Sequence, residues 1–84
     1  MKLIFLESSD IGVRYSGEAA KALGYEPVFL CQLAHYHGDP RRQLNDYLHF
    51  DCDTSTVENV LAAVQEHGLT EIAAITSFAD SRVY

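Results

Sequence analysis

The sequence is poor in basic residues, in cysteine and in long hydrophobic runs, and each shortage excludes a class of protein. Six basic residues stand against twelve acidic ones, for a net charge of −6. An acidic surface repels phosphate backbones and anionic lipid, so we expect neither nucleic acid nor membrane partners. The two cysteines are too few for a disulfide scaffold. No apolar run approaches the roughly 20 residues of a membrane span or the apolar core of a signal peptide, which predicts a cytoplasmic protein.

What is present indicates one small globular domain, residues 1–84. The hydrophobic content of 48% argues against disorder. Four apolar runs are typical of strands, at residues 3–6, 27–31, 47–50 and 72–76. The first and last runs are almost continuously apolar, which predicts strands covered on both faces of a parallel sheet.

Helical patterns separate these runs. Residues 10–23 carry one stripe of small and apolar side chains, with Gly24 placed to end the helix; the stripe consists of Val13, Gly17, Ala20 and Leu23. Residues 32–46 allow one or two helical turns, with Pro40 suited to the start. The alternation of strands and helices predicts an α/β domain with a parallel sheet.

The third helix has the clearest sequence pattern. Ser55 and Glu58 fit a capping box, in which each side chain binds a free backbone amide at the helix start. Gly68 is placed to end the helix. The apolar stripe between them follows helical spacing and consists of Val57, Val60, Leu61 and Val64.

The last seven residues, "FADSRVY", resemble the start of a fourth helix, with Ser77 and Asp80 as candidate caps. Only about one turn is present, which predicts a sheet face left uncovered near the fourth strand. We therefore expect the chain to be a fragment of a longer multidomain enzyme, with the uncovered face docking onto another surface.

Three stretches, "KLIFLESSD…GEAAKALGYEPVFLC", "LNDYLHFDCDT" and "VLAAVQEHGLTEIAAITSFADSRVY", cover almost the whole chain in order. They resemble the N-terminal, biotin-carboxylase-like (pre-ATP-grasp) domain of ATP-grasp carboxylate–amine ligases. The resemblance implies a Rossmann-like three-layer domain with a four-stranded parallel sheet of order 3-2-1-4. It also implies that ATP and magnesium bind between domains that follow this one. No cofactor site, metal site or catalytic residue is therefore expected in these 84 residues.

In a sheet of order 3-2-1-4, the loops after the first and fourth strands flank one cleft. The candidate substrate-binding residues are Glu7, Ser8, Ser9, Ser77 and Asp80. A structural alternative is that Ser9 caps the first helix while Asp10 complements the helix dipole. Phosphate binding at the helix start is a third possibility. The carboxylates of Glu7 and Asp10 and the absence of a glycine-rich fingerprint weigh against it.

Other polar residues suggest metal sites. Four acidic residues follow strands and could bind a hard cation, although acidic residues also favour loops: Glu7, Asp51, Asp53 and Asp80. A second set could suggest zinc, but it lacks paired ligands at short spacing: His35, His37, His49, Cys31 and Cys52.

Two functional classes remain. In the first, the chain is the non-catalytic N-terminal domain of an ATP-dependent carboxylate–amine ligase that uses an acyl-phosphate mechanism. It would supply scaffold and part of the substrate cleft, with the remaining ATP-grasp domains and small-molecule carboxylate and amine substrates as partners. In the second, it is a stand-alone Rossmann-like module that binds a small ligand or forms homo-oligomers.

Overall fold

The computed structural model describes residues 1–7 and 12–77. Strands and helices alternate along these residues. The strands are β1 Lys2–Leu6, β2 Glu26–Cys31, β3 Leu48–Asp51 and β4 Ile72–Ser77. The helices are α1 Gly12–Ala22, α2 Gly38–Leu44 and α3 Val57–Glu66, with a 3₁₀ helix at Leu33–His35 before α2.

The four strands form one parallel sheet of order β3-β2-β1-β4. This order confirms the sheet that the resemblance implied. The connections from β1 to β3 progress toward one edge, whereas the connection through α3 returns across the sheet to the other edge. Because parallel crossovers are right-handed, such a reversal places α3 on the opposite face from α1 and α2.

Two core clusters, one on each face, confirm the three layers. The residues under α3 are Ile4, Leu6, Val28, Leu30, Cys52, Val60, Ala63 and Leu69. The residues under α1 and α2 are Phe5, Val13, Ala20, Phe29, Cys31, Tyr36, Leu44 and Tyr47. Alternate side chains of β1 and β2 supply both clusters, as the pleat of a sheet requires.

Helix α1 approaches the sheet closely at Gly17, which lies against the ring of Tyr47. A Cβ atom added at Gly17 would lie 2.5 Å from both Cε1 and Cζ of that ring. The ring is held in place because the Tyr47 hydroxyl donates a hydrogen bond of 2.6 Å to Glu18, while the Lys21 ammonium lies 4.9 Å from the ring centroid. Burial, followed by this hydrogen bond, raises the pKa of Tyr47 to about 12.

The boundaries of α1 and α2 differ from the predicted ones. Leu23 was expected in the inward stripe of α1, but it follows the helix and its side chain is 73% exposed. Gly24 has a φ of 87°, as its predicted role in ending the helix requires. Pro40 is the third residue of α2 rather than its start, because His37 is the N-cap.

Helix α3 begins one residue later than predicted. Its N-cap is Thr56, whose hydroxyl accepts a hydrogen bond of 3.2 Å from the Asn59 amide, so the predicted capping box at Ser55 is wrong. The Ser55 amide instead donates to Asp53 Oδ1 at 2.9 Å. Leu61 was placed in the inward stripe but is half exposed.

Strand β4 is an edge strand, and the prediction that it is covered on both faces is wrong. Ala73, Ala74 and Thr76 are exposed, whereas Ile72 and Ile75 pack partly against the core under α3. The other expectation for this region, an uncovered sheet face near β4, is confirmed for the described residues. The pattern for a fourth helix lies outside them.

Candidate functional site

Glu7 directly follows β1 and has an unusual backbone conformation. Its φ is 60°, in the left-handed region that residues with a Cβ atom enter at a cost of about 1 kcal/mol. The Glu7 amide continues the pairing with β2 by donating a hydrogen bond of 3.0 Å to the Leu30 carbonyl. The strain therefore falls on a residue whose backbone is still fixed by the sheet.

The half-buried carboxylate of Glu7 accepts three hydrogen bonds from residues that follow β2 and β3. Oε2 accepts from the Gln32 amide at 3.1 Å and from the Thr54 hydroxyl at 2.5 Å. Oε1 accepts from the Tyr36 hydroxyl at 3.1 Å. Tyr36 and Thr54 are both buried. One side chain thus joins the carboxyl ends of three neighbouring strands, and we call these four residues the Glu7 cluster.

Two further carboxylates accept hydrogen bonds from the connection that follows β2. Asp51 Oδ1 accepts a hydrogen bond from the Leu33 amide at 3.1 Å. Asp53 Oδ1 accepts from Gln32 Nε2 at 3.2 Å as well as from the Ser55 amide. These contacts fit the ordinary loop role of acidic residues better than a hard-cation site. Within the described part of the chain, no group of three or more histidine, cysteine or acidic residues could hold a metal ion.

An open cleft of about 380 Å³ lies beside this network and is lined by Gln32, Asp51, Cys52 and Asp53. A second cleft of about 340 Å³ shares the stretch from Asp51 to Asp53 and extends along α3 to Glu66. Both volumes lie in the range of small-ligand sites. Their carboxylates disfavour phosphate and would favour a cationic group such as an ammonium ion.

The predicted substrate-binding residues are only partly described. The backbone of Ser77 pairs with Leu6, so the end of β4 lies beside the end of β1, as expected. The carboxylate of Glu7, however, is bound by residues after β2 and β3, on the side of the sheet away from β4. Ser8, Ser9 and Asp80 lie outside the described residues, as does the side chain of Ser77. The capping and phosphate hypotheses for residues 8–11 therefore stay predictions.

Gln32, Tyr36 and Thr54 contact Glu7 but were not predicted as part of a site. No sequence motif marks Gln32, Tyr36 or Thr54. The one available signal was that all three lie in the connections that follow β2 and β3, because the carboxyl ends of parallel strands meet at one edge.

The two cysteines lie on opposite faces of the sheet and are not paired in a disulfide. The Cys52 amide donates a hydrogen bond of 2.9 Å to the Cys31 carbonyl, so their backbones are adjacent. Burial raises the pKa of the Cys31 thiol to about 12, and the negative charges of Glu7 and Asp51 add to the shift. Burial, followed by the charge of Asp53, also raises the pKa of Cys52.

We expect both thiols to react slowly in the folded protein. The thiolate is the reactive form, and a pKa of about 12 for Cys31 leaves far less of it near neutral pH than a free cysteine has. Labelling by an aromatic disulfide reagent at about pH 8 should be slower by at least about 10²-fold than in denaturant, where two thiols should react. Labelling of the folded chain at the rate of a free thiol would contradict this assignment.

The three histidines of the zinc hypothesis do not converge. His35 and His37 are exposed in the connection after β2, and His49 lies on β3 with Nδ1 at 3.0 Å from the Tyr47 carbonyl oxygen.

Within residues 1–7 and 12–77, no helix combines the length and the apolarity that crossing a bilayer requires. Comparisons with protein-family models, with curated proteins and with solved structures found no match.

Proposed function

We propose that this chain is the N-terminal domain of an ATP-grasp carboxylate–amine ligase, where it contributes scaffold and part of the substrate cleft. The observation that carries the proposal is the four-stranded parallel sheet of order β3-β2-β1-β4 with helices on both faces. This order is the one implied by the resemblance of the three sequence stretches. A Rossmann-like sheet serves many chemistries, so the ligase assignment rests on the fold and the resemblance together.

In the proposed enzyme, the γ-phosphoryl group of ATP passes to a carboxylate, and an amine then displaces phosphate to leave an amide. The charge of the two described clefts disfavours the phosphate groups of the nucleotide. The clefts at the carboxyl edge are lined by Asp51, Asp53 and Glu66, whose charges oppose those of phosphate groups. We therefore assign ATP and magnesium to the remaining ATP-grasp domains.

The role proposed for this domain is to shape one wall of the acceptor site. The Glu7 cluster fixes the connections after β2 and β3 relative to the end of β1. The remaining proposed substrate contacts are Ser8, Ser9, Ser77 and Asp80. The acidic cleft of about 380 Å³ has the charge that an amine substrate in its ammonium form would require.

A second candidate function is a stand-alone module that binds a small ligand or forms homo-oligomers. Two observations favour it: the cleft of about 380 Å³ and the exposed face of β4. It differs from the ligase proposal in requiring no further domain.

Titration calorimetry of the 84-residue chain tests the assignment of roles. We expect no saturable heat on addition of ATP with magnesium, because the acidic clefts repel the triphosphate. A small primary amine and its uncharged alcohol analogue form a matched pair of further titrants, of which only the amine should bind. Tight stoichiometric binding of ATP would contradict the proposal that this domain is non-catalytic.

A further inference from the structure

The outer surface of α3 combines exposed apolar side chains with exposed carboxylates. Leu61 is 50% exposed and Val57 is 41% exposed. These two residues are four apart, so they lie one turn from each other along one side of the helix. Successive residues are rotated by about 100°, which places Glu58 and Glu66 further round, on the acidic side. We call six exposed residues the α3 face: Val57, Glu58, Leu61, Ala62, Gln65 and Glu66.

Glu66 is the last residue of α3, a position where a carboxylate is unfavourable. The C-terminal end of a helix carries a partial negative charge, which favours lysine or arginine in the last turn. α3 has no basic residue in its last turn, and the ring of its C-cap, His67, stacks on Phe50. Glu66 also lines the cleft of about 340 Å³ together with Asp51 and Asp53. Like charges therefore accumulate beside a helix end of the same sign.

The basic residues of the described chain do not compensate this charge. Four of them form ion pairs with carboxylates outside the α3 face and its cleft: Lys2, Arg14, Lys21 and Arg42. The fifth, Arg41, lies in α2 on the opposite face of the sheet. Residues 43–81 contain neither lysine nor arginine. The arrangement at Glu66 thus breaks a local rule of helix stability without a gain inside the described residues, which is typical of a functional surface.

We propose that the α3 face binds a basic amphipathic segment of another protein. Lysine or arginine side chains of the segment lie on Glu58 and Glu66, and an apolar side chain packs on Leu61. Binding then supplies the cation that the end of α3 lacks. The long apolar stems of lysine and arginine also cover the small side chain of Ala62 between the two carboxylates.

Charge complementarity selects this occupant. The carboxylates repel nucleic acid and anionic lipid, and they also repel a second copy of this chain, which carries a net charge of −6. The apolar side of the α3 face favours a protein segment over a free cation, because a small cation leaves Val57 and Leu61 in water. This inference does not rest on membership of the ligase family.

Fluorescence anisotropy with a labelled peptide tests the proposal on the 84-residue chain. The probe consists of leucine and lysine patterned as an amphipathic helix of about four turns. We expect saturable binding at one peptide per chain that weakens as salt is added. A scrambled peptide of the same composition keeps the charge but lacks the apolar stripe, and it should bind at least about tenfold more weakly.

Glu66→Lys is the most informative variant, because it should move binding and stability in opposite directions. It should weaken peptide binding by about tenfold or more by placing a like charge in the contact. It should also raise the urea midpoint of the free chain, because lysine suits the C-terminal end of a helix. Leu61→Ser should weaken binding by about fivefold by removing the apolar contact.

Each variant has a matched control away from the α3 face. Glu26→Lys makes the same change in net charge at the exposed start of β2, and Leu23→Ser removes an exposed leucine after α1. Both should leave the affinity within about twofold. The proposal is overturned if the peptide does not bind, or if Glu26→Lys and Glu66→Lys weaken it equally. It is also overturned if spermidine displaces the peptide at an equal concentration, since the face would then be a site for small cations.

Discussion

Replacing Glu7 with alanine is expected to lower the free energy of unfolding by about 3 kcal/mol. The substitution removes the acceptor for the Gln32 amide and for the hydroxyls of Tyr36 and Thr54. Tyr36 and Thr54 are buried, so water cannot easily replace the lost carboxylate. Urea unfolding followed by circular dichroism measures the change.

A glycine at the same position distinguishes the contribution of the hydrogen bonds to stability from that of the backbone strain. Glu7→Gly also removes the carboxylate, but glycine adopts a φ of 60° without the cost that a Cβ atom imposes. We expect it to be less destabilising than Glu7→Ala by about 1 kcal/mol. Thr54→Val, which removes one donor and keeps the shape, should cost only about 1 kcal/mol. A Glu7→Ala variant as stable as the natural chain would contradict the proposed role of the cluster.

Replacing Gly17 with alanine is expected to lower the free energy of unfolding by about 1–3 kcal/mol. In an ordinary helix, the same substitution raises helix stability by about 1 kcal/mol. The added methyl group would meet the Tyr47 ring at 2.5 Å. The ring has little freedom to move, because it packs against Phe29 and its hydroxyl binds Glu18. Chemical denaturation again measures the change.

Ser16→Ala is the matched control in the same helix. The Ser16 side chain is buried, and among the described residues its hydroxyl has no hydrogen-bond partner. Removing an unsatisfied hydroxyl and gaining helix propensity should stabilise the chain by up to about 1 kcal/mol. The two neighbouring substitutions should therefore act in opposite directions. A stabilising Gly17→Ala would show that the helix does not approach Tyr47 as described.

The fold follows from sequence patterns because each element depends on local spacing. The apolar runs located all four strands to within one residue at each end, and Gly24 and Gly68 adopt the positive φ that ending a helix requires. The reversal of strand order could be obtained only from the resemblance. Periodicity alone could not show that β4 lies at an edge, because the small apolar residues Ala73 and Ala74 occupy exposed positions and make the run look continuously apolar.

The contacts of the candidate site depend on residues far apart in sequence. Gln32, Tyr36 and Thr54 are separated from Glu7 by 25, 29 and 47 residues, so no local pattern links them. The N-cap of α3 was also not predictable from the sequence, although the two candidate residues are neighbours. Ser55 and Thr56 have equivalent hydroxyls, and only the turn in which Asp53 binds the Ser55 amide determines that Thr56 is the cap.

The coding sequence beyond the codon for Tyr84 tests the proposed function most directly. The account predicts an open frame of several hundred further residues with an ATP-grasp pattern. It also predicts that the full product forms ADP only when both a carboxylate and an amine substrate are supplied. A stop codon directly after Tyr84 would contradict the ligase proposal and favour the stand-alone module.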